Sequence, residues 1–285
     1  MDKFKNIQNV YYLGPRGSYS SLAVKFFSNF YNLKNLKFNA QKNIKTLLKN
    51  FEYDKSSIAV VPIENSIQGI VKETINNIME LNDDKTTFYA EYVLNINHAL
   101  ISKANDKNTI KTILSHPQAL QQCENYIFDN FKNAKIQSKN STSEAIYELK
   151  DLDGTSAAIG NPELAFELGL NVLEREINDE KDNQTRFILL TRFENENTID
   201  AKTNIVFATQ NKPGALCDIL NIFKEYNINL TYIDSRPSKK NLGEYLFLAD
   251  LKGHILDENV KCALSNVKKQ VKFFKINGSY TVLSH

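Results

Sequence analysis

Short apolar runs alternate with amphipathic helical segments over residues 10–193, and this alternation constrains the fold more than any other feature. Val10–Leu13, Ser57–Val61, Thr109–Leu114 and Ser156–Ile159 have the length and apolar content of buried strands. A segment whose apolar residues recur at helical spacing follows each of them. The pattern predicts an α/β domain with largely parallel sheets.

Polar loops follow four of the predicted strands, with the sequences GPRGS, PIENS, LSHPQ and IGNP. Loops are polar in general, so one such loop would indicate nothing. In parallel sheets, however, ligands bind outside the carboxyl ends of the strands. The repetition therefore predicts a ligand cleft. In the first loop, Ser18 is expected near a helix N-terminus, where backbone N–H groups favour an anion.

The predicted strand Gln184–Arg192 opens with a hydroxyl and a guanidinium, those of Thr185 and Arg186. Only five of the 35 basic residues are arginine, and a guanidinium is the fork that binds a carboxylate bidentately. Thr191 and Arg192 repeat the pair six residues later, about 20 Å along an extended strand, so both copies cannot serve one small ligand. The first copy is preferred because Asp182–Gln184 adds polar groups there.

Five further polar residues are candidates for the cleft, and each has an ordinary structural interpretation that stays open. Glu64 can be an acid at a helix start, Ser115 a helix N-cap and Gln122 a solvated side chain. Asn65 lies beside Glu64 in the second polar loop. His116 precedes Pro117, and a lone histidine is usually structural.

Composition and motifs exclude several classes of function. The formal net charge of +2, spread over scattered lysines, argues against a nucleic-acid binder. No apolar run has the length of a signal core or a membrane span. Three cysteines without CxxC spacing argue against disulfides and zinc and favour the cytoplasm. No nucleotide, metal or hydrolase motif is present, so a reaction without a cofactor is expected.

The pattern changes after residues 194–202, a polar stretch that is interpreted as a linker. Residues 203–281 read as strand, helix, strand, strand, helix and strand, the ferredoxin-like βαββαβ arrangement. The edges of such small sheets often pair, so a homodimer is the expected form.

Six motifs in order, YYLGPRGSYS, VVPIENSIQG, LSHPQALQQC, STSEA, IGNPELA and DNQTRF, resemble those of prephenate dehydratases, and NKPGAL and YIDSRP resemble an ACT domain. The resemblance covers about residues 10–281. It implies a two-lobed catalytic domain similar to a periplasmic binding protein over residues 10–193, followed by an ACT regulatory domain over residues 203–281. It also implies the reaction, in which prephenate loses carbon dioxide and its ring hydroxyl to give phenylpyruvate.

The resemblance assigns roles to the candidate residues. Thr185 would act at the leaving hydroxyl, Arg186 would bind a substrate carboxylate, and Phe187 would pack the site. A threonine hydroxyl is a very weak acid, so Glu64 or His116 is considered as its titrating partner. Asn65, Ser115 and Gln122 match the family's supporting polar residues, and Glu64 adjoins them. Ser18 stands where threonine is common in the family, which keeps the hydroxyl, and it is expected to bind the substrate.

The ACT resemblance implies feedback control by phenylalanine at a dimer interface, with two groups of binding residues: Pro213, Gly214, Ala215 and Leu216 at a helix start, and Asp234, Ser235, Arg236 and Pro237 on a strand end. Asp234 stands where glutamate is usual, which bears on effector affinity. A monofunctional enzyme that forms dimers or tetramers through both domains is expected. The alternatives are an arogenate dehydratase and a non-enzymatic amino-acid sensor.

Overall fold

The structure, a computed structural model, describes residues 2–81, 83, 85–196, 199–237 and 245–283. Its strands are β1 (Asn9–Leu13), β2 (Lys37–Gln41), β3 (Ser57–Asn65), β4 (Gly69–Ile70), β5 (Thr87–Asn95), β6 (Ala99–Ser102), β7 (Thr112–Ser115), β8 (Lys135–Ser138), β9 (Ser156–Gly160), β10 (Asn171–Glu174), β11 (Gln184–Thr191), β12 (Ala201–Ala208), β13 (Leu230–Pro237), β14 (Tyr245–Lys252) and β15 (Phe273–Leu283). Its α-helices are α1 (Tyr19–Phe30), α2 (Ile44–Tyr53), α3 (Lys72–Met79), α4 (Pro117–Gln121), α5 (Glu124–Asn130), α6 (Thr142–Glu148), α7 (Pro162–Glu167), α8 (Ala215–Glu225) and α9 (Glu258–Gln270).

The chain folds as two compact units. The first comprises the described residues of 1–81 and 93–187 and contains two sheets. In one of them, β1 lies between β2 and β3 and is parallel to both. In the other, the strand order is β10-β6-β9-β7-β8. There β7 is parallel to β8 and β9, whereas β6 is antiparallel to β9 and β10.

Apolar cores lie on both faces of the five-stranded sheet. Ile101, Leu114 and Ile146 belong to one cluster, and Leu100, Ile113 and Ile159 belong to the other. Neighbouring residues of β6 therefore point to opposite faces, and both are fully buried. A sheet covered on both sides is typical of α/β proteins. Each fully buried leucine or isoleucine contributes roughly 1.5–3 kcal/mol.

The chain passes twice between the two sheets, through residues 96–98 before β6 and through residues 175–183 after β10. The two crossing segments contact each other. The backbone N–H of Ile96 donates to the Asn183 carbonyl, 2.8 Å away, and that of Ile177 donates to the His98 carbonyl at 3.1 Å. Two adjacent crossings between two sheets give the first unit the predicted two-lobed organisation.

Side chains at the loop ends fix where the helices begin. Ser18 caps α1 by accepting from the Ser21 N–H, and Asn161 caps α7 by accepting from the Glu163 N–H. His116, not Ser115, caps α4, because its Nδ1 accepts from the Gln118 N–H. Pro117 and Pro162 occupy the first positions of α4 and α7, where no N–H is needed. The alternative interpretation of Ser115 as the N-cap of this helix is therefore wrong.

The second unit comprises the described residues of 82–92 and 188–285. Its strand order β13-β14-β12-β15 and the helices α8 and α9 confirm the predicted βαββαβ module. Ile205, Phe207, Phe223, Leu251 and Val260 belong to its buried core. The same sheet continues into β5, which is parallel to β15 with Ala90 opposite Thr281. That pairing joins an early segment of the chain to the C-terminal module, and no sequence feature predicted it.

The α/β class is confirmed, with two differences in detail. The five-stranded sheet is mixed rather than largely parallel, because β6 and β10 run against their neighbours. The predicted linker of residues 194–202 is only partly described, since residues 197 and 198 lie outside the described ranges. Asn195, within that stretch, is buried and donates to the Tyr89 carbonyl and to Thr281 Oγ1. This end of the predicted linker is therefore packed.

Candidate active site

Thr185 and Asn65 form the centre of the candidate site. Thr185 lies at the start of β11 and Asn65 at the end of β3, and each is only 9% exposed. Asn65 Nδ2 donates to Thr185 Oγ1 over 3.0 Å. Asn65 Oδ1 accepts from the backbone N–H groups of Ile67 and Gln68, which fixes the orientation of the amide.

The hydroxyl proton of Thr185 has no acceptor among the residues that the structure describes, because its one side-chain hydrogen bond is the one that its oxygen accepts from Asn65. Thr191 differs in this respect. Its hydroxyl, which is fully buried, donates to the Phe193 carbonyl at 2.7 Å. Thr185 therefore keeps a proton to donate to a ligand, whereas Thr191 has already used its own.

A chain of side-chain hydrogen bonds leads from Asn65 into the second lobe. Asn65 Nδ2 donates to Asn183 Oδ1 at 2.8 Å, and Asn183 Nδ2 donates to Gln122 Oε1 at 3.3 Å. Gln122 is the C-cap of α4, so the end of the helix that follows β7 is linked through Asn183 to the end of β3. The Nε2 atom of Gln122 is buried, and within the described ranges it has no hydrogen-bond partner. A buried amide donor without an acceptor costs about 1–3 kcal/mol, so a ligand oxygen would satisfy it.

His98 continues the same chain, and sequence reasoning missed its role. Its Nε2 lies 3.1 Å from Gln122 Oε1, and its Nδ1 lies 3.1 Å from the Tyr19 hydroxyl. Burial lowers the pKa of His98 to about 4 and raises that of Tyr19. The imidazole and the phenol are therefore both neutral at pH 7. The only available signal was that His98 is one of two histidines in the predicted catalytic domain.

Arg186 and Glu64 form a second pair, with Arg186 Nη1 3.4 Å from Glu64 Oε2. Successive side chains of a strand point to opposite faces. β3 and β11 are neighbours in the sheet. Thr185 with Asn65 and Arg186 with Glu64 therefore lie on opposite faces of these two strands. The Arg186 side chain is 10% exposed and that of Glu64 is 37% exposed. One ligand can therefore contact both Thr185 and Arg186, as predicted, only if it extends past the end of β11 from one face to the other.

The remaining candidates of the catalytic domain lie at varied depths. The Ser115 hydroxyl is fully buried and donates to the Ile159 carbonyl at 2.6 Å, so it joins neighbouring strands. Phe187 is 2% exposed and belongs to the protein interior. Ser18 Oγ donates to the Leu13 carbonyl in addition to capping α1. Among the described residues, neither Glu64 nor His116 hydrogen-bonds to the Thr185 hydroxyl.

The first polar loop meets the loop after β9. Asn161 Nδ2 donates to the Gly17 carbonyl at 3.0 Å. Gly17 has a φ of +82°, and a Cβ there would lie 2.6 Å from the Leu164 side chain. Glycine thus permits both the backbone turn and the close approach of α7. The structure thus brings the first and the fourth polar loops together. A ligand cleft formed by all four loops remains a prediction.

Comparison with known proteins identifies the family. A family model described as prephenate dehydratase matches residues 10–195, and the ACT domain model matches residues 203–268. The chain belongs to the prephenate dehydratase family.

Individual relatives cover nearly all of the chain. It is 38% identical over 278 residues to a prephenate dehydratase of Methanocaldococcus jannaschii, covering 96% of this chain and 98% of the relative. It is 33% identical over 271 residues to a bifunctional chorismate mutase/prephenate dehydratase of Aquifex aeolicus, covering 95% and 73%. The structure of a prephenate dehydratase from Arthrobacter aurescens in complex with L-Phe aligns with a TM-score of 0.84 at 31% identity, covering 96% and 90%.

These findings confirm the predicted family, its α/β fold and its ACT domain. They also confirm the enzyme class, because prephenate dehydratases are lyases that catalyse a decarboxylating dehydration. Within the described ranges, no helix has both the length and the apolar character that crossing a bilayer requires.

The ACT module contains a cavity of about 260 Å³ at the start of α8. Three of the predicted effector residues line it, Gly214, Ala215 and Leu216, beside Tyr245 and Phe247. Gly214 has a φ of +79° and no side chain to cap the helix. The backbone N–H groups of this helix start are thus well placed for an anion.

The second group of predicted effector residues lies on β13, from Asp234 to Pro237. Arg236 Nε lies 3.1 Å from Asp234 Oδ2, and the Arg236 side chain is 11% exposed. None of these strand residues lines the cavity at α8. Their role in effector binding remains a prediction.

Proposed function

We propose that this chain converts prephenate to phenylpyruvate, with Thr185 as the hydrogen-bond donor to the departing ring hydroxyl. The observation that supports it is the uncommitted proton on a nearly buried threonine whose oxygen is held by Asn65. Family membership supports the reaction, and the hydrogen bond from Asn65 to Thr185 supports Thr185 as the donor.

The chemistry requires the protein to position the substrate and to stabilise charge. The electron pair of the bond to the ring carboxylate moves into the ring as carbon dioxide leaves, and the hydroxyl on the opposite ring carbon departs with its bonding pair. Aromatisation drives both steps. Negative charge develops on the departing oxygen, where a preorganised O–H donor is most effective. Thr185 donates this hydrogen bond without being ionised.

Gln122 provides a second donor for the substrate in this proposal. Its Nε2 is buried without a hydrogen-bond partner among the described residues, while its Oε1 is occupied by Asn183 and His98. These unpaired N–H groups would bind an oxygen of a substrate that enters the site. Asn65 acts indirectly, because its Nδ2 is surrounded by Asn183, Gln184 and Thr185 acceptors of the protein itself.

Arg186 is proposed to bind a substrate carboxylate at the end of β11, from the face opposite to that of Thr185. Arg186→Lys keeps the charge but removes the planar fork, so we expect KM for prephenate to rise about tenfold or more, with a smaller change in kcat. Steady-state kinetics measures both. An unchanged KM together with a lower free energy of unfolding would instead assign Arg186 a structural role beside Glu64.

Regulation and assembly are part of the proposal. L-phenylalanine would bind the cavity at α8 and lower turnover, and the ACT and catalytic domains would hold a homodimer or homotetramer together. The three cysteines are free thiols, which suits a reducing compartment, and we assign the enzyme to the cytoplasm.

The direct test is incubation of the purified protein with prephenate, followed by alkaline measurement of phenylpyruvate absorbance. Arogenate is offered in parallel, with phenylalanine as the expected product. Turnover of prephenate supports the proposal, and turnover of arogenate alone would shift the assignment to arogenate dehydratase. Absence of product from both at high enzyme concentration would favour a non-enzymatic sensor.

A further inference from the structure

The geometry points to His98 as a positioning residue, which acts through Gln122, Asn183 and Asn65 to direct the Thr185 hydroxyl. The inference rests on the proposed role of Thr185. His98 is 3% exposed and lies on the first crossing segment between the lobes. It is connected to Thr185 by consecutive hydrogen bonds without touching it.

The hydrogen bonds assign the protons between Asn65 and His98 Nε2. Asn65 Oδ1 faces two backbone N–H groups, so Asn65 Nδ2 must face Asn183 Oδ1. Asn183 Nδ2 then donates to Gln122 Oε1. Because that oxygen only accepts, the His98 Nε2 beside it must carry the proton. The low pKa of His98 leaves exactly one ring nitrogen protonated at neutral pH.

The other side of the imidazole holds its orientation. Nδ1 is the acceptor in this tautomer. The single Tyr19 O–H proton faces two acceptors, Nδ1 at 3.1 Å and the Asn97 carbonyl at 2.8 Å, and can donate fully to only one of them. The Tyr19 ring also packs edge-on against the imidazole, with the ring centroids 5.7 Å apart. The His98 backbone N–H donates to Asn178 Oδ1 at 2.6 Å. The ring is therefore fixed by α1 on one side and by the second crossing segment at its backbone.

Losing the Nε2 proton donor would release Gln122 and Asn183 in turn. Gln122 could then rotate its amide, and Asn183 would lose the arrangement that orients the Asn65 donors. Asn65 could then turn its amide, and its Nδ2 would no longer be held in the position from which it donates to Thr185 Oγ1. The Thr185 hydroxyl would adopt several orientations instead of one. The predicted consequence is slower chemistry in a folded protein that still binds prephenate.

Two substitutions of His98 distinguish the role of Nε2 from that of Nδ1. The amide of His98→Gln places an N–H near the position of Nε2, where it can donate to Gln122. The amide of His98→Asn is shorter and reaches only the position of Nδ1 beside Tyr19. We expect His98→Asn to lower kcat about tenfold to hundredfold with KM changed less than about threefold, and His98→Gln to recover most of the loss.

A double-mutant cycle separates positioning from general damage. Under single-turnover conditions, His98→Asn should slow the Thr185→Ala enzyme by a clearly smaller factor than it slows the wild-type enzyme, because one of the groups that it directs is gone. His254→Asn changes an equally buried histidine of the second unit, which is 2% exposed, and should leave the rate per folded molecule unchanged. Circular dichroism reports the folded fraction of every variant.

Each result bears on one claim. Equal kcat values for His98→Asn and His98→Gln, or the same slowing by His98→Asn with and without Thr185, would overturn the inference. A Thr185→Ala enzyme with wild-type kcat would instead overturn the proposed function itself. If His98→Asn fails to fold, Asn183→Asp breaks the same series of hydrogen bonds one step further along, because a carboxylate keeps an oxygen to accept from Asn65 but has no N–H to donate to Gln122. Normal kcat in that variant would likewise refute the inference.

Discussion

Thr185 and Thr191 begin identical Thr-Arg-Phe sequences, but they differ in whether the hydroxyl proton is used in a hydrogen bond within the protein. The sequence favoured Thr185 over Thr191 because of its polar neighbours, and the structure gives a chemical reason, since only the Thr191 hydroxyl donates within the protein. Thr191→Val should therefore lower the free energy of unfolding by about 1–3 kcal/mol and leave kcat within about twofold. Chemical denaturation and steady-state kinetics on the same sample check both. A large loss of kcat would mean that the second copy serves the reaction.

Burial of His98 makes stability depend on pH. Its pKa of about 4 lies below the ordinary 6.5, so the unfolded chain binds a proton that the folded protein does not. Stability should accordingly fall as pH drops from about 6.5 towards 4, by about 2 kcal/mol between pH 7 and pH 5. His98→Gln should lose this part of the pH dependence. Equal slopes of unfolding free energy against pH in both proteins would contradict the low pKa.

At the scale of elements, the close approach of the first polar loop to α7 can be tested with a pair of glycines. Gly17 and Gly169 both have positive φ, but a Cβ meets the Leu164 side chain at Gly17 and nothing within 4 Å at Gly169. Gly169→Ala should cost about 1 kcal/mol of backbone strain, and Gly17→Ala at least about 1 kcal/mol more because of overpacking. Denaturant unfolding gives both values. Equal costs would show that α7 does not crowd this loop.

Elements were predictable where local chemistry determines them. The apolar runs of β3 and β11 follow from the sequence alone. β2 was not predicted, because its exposed and partly exposed residues KFNAQ carry almost no apolar pattern. The pairing of β5 with β15 was also out of reach, since it joins Ala90 to Thr281 and depends on tertiary structure.

At the scale of the whole molecule, the C-terminal unit includes residues from early in the chain. Deleting residues 203–285 would remove β15 and leave β5 without that partner. Truncation is therefore a poor test of regulation, because any loss of activity would have two explanations. Point substitutions in the intact chain are preferable.

Leu216 and Leu220 lie one turn apart on α8 and both pack against the ACT core, but only Leu216 lines the cavity. L-phenylalanine at one hundred times its Kd should stabilise the wild-type protein by about 2.7 kcal/mol. Both alanine substitutions should lower the melting temperature, and only Leu216→Ala should also weaken the stabilisation by phenylalanine. Equal responses to phenylalanine in the two variants would place the effector elsewhere.

The sequence predicted which residues belong to the candidate site better than it predicted how their side chains are placed. Thr185, Asn65 and Gln122 were named from the sequence, and hydrogen bonds through Asn183 connect them. Arg186 and Thr185 point to opposite faces of β11, because successive side chains of a strand alternate between its faces. Both were expected to contact one ligand, although this alternation follows from the predicted strand. The place of His98 in the site could not be predicted, because its contacts with Tyr19 and Gln122 join residues that are distant in the sequence and form only on folding.

The uncommitted proton of Thr185 is the centre of this account, and the rate of the chemical step tests it most directly. Single-turnover formation of phenylpyruvate should be slowed about 10²–10³-fold by Thr185→Ala and less than about tenfold by Thr185→Ser, which keeps the hydroxyl. Prephenate binding and the melting temperature should change little in either variant. A Thr185→Ala enzyme that forms phenylpyruvate at the wild-type rate would contradict the account.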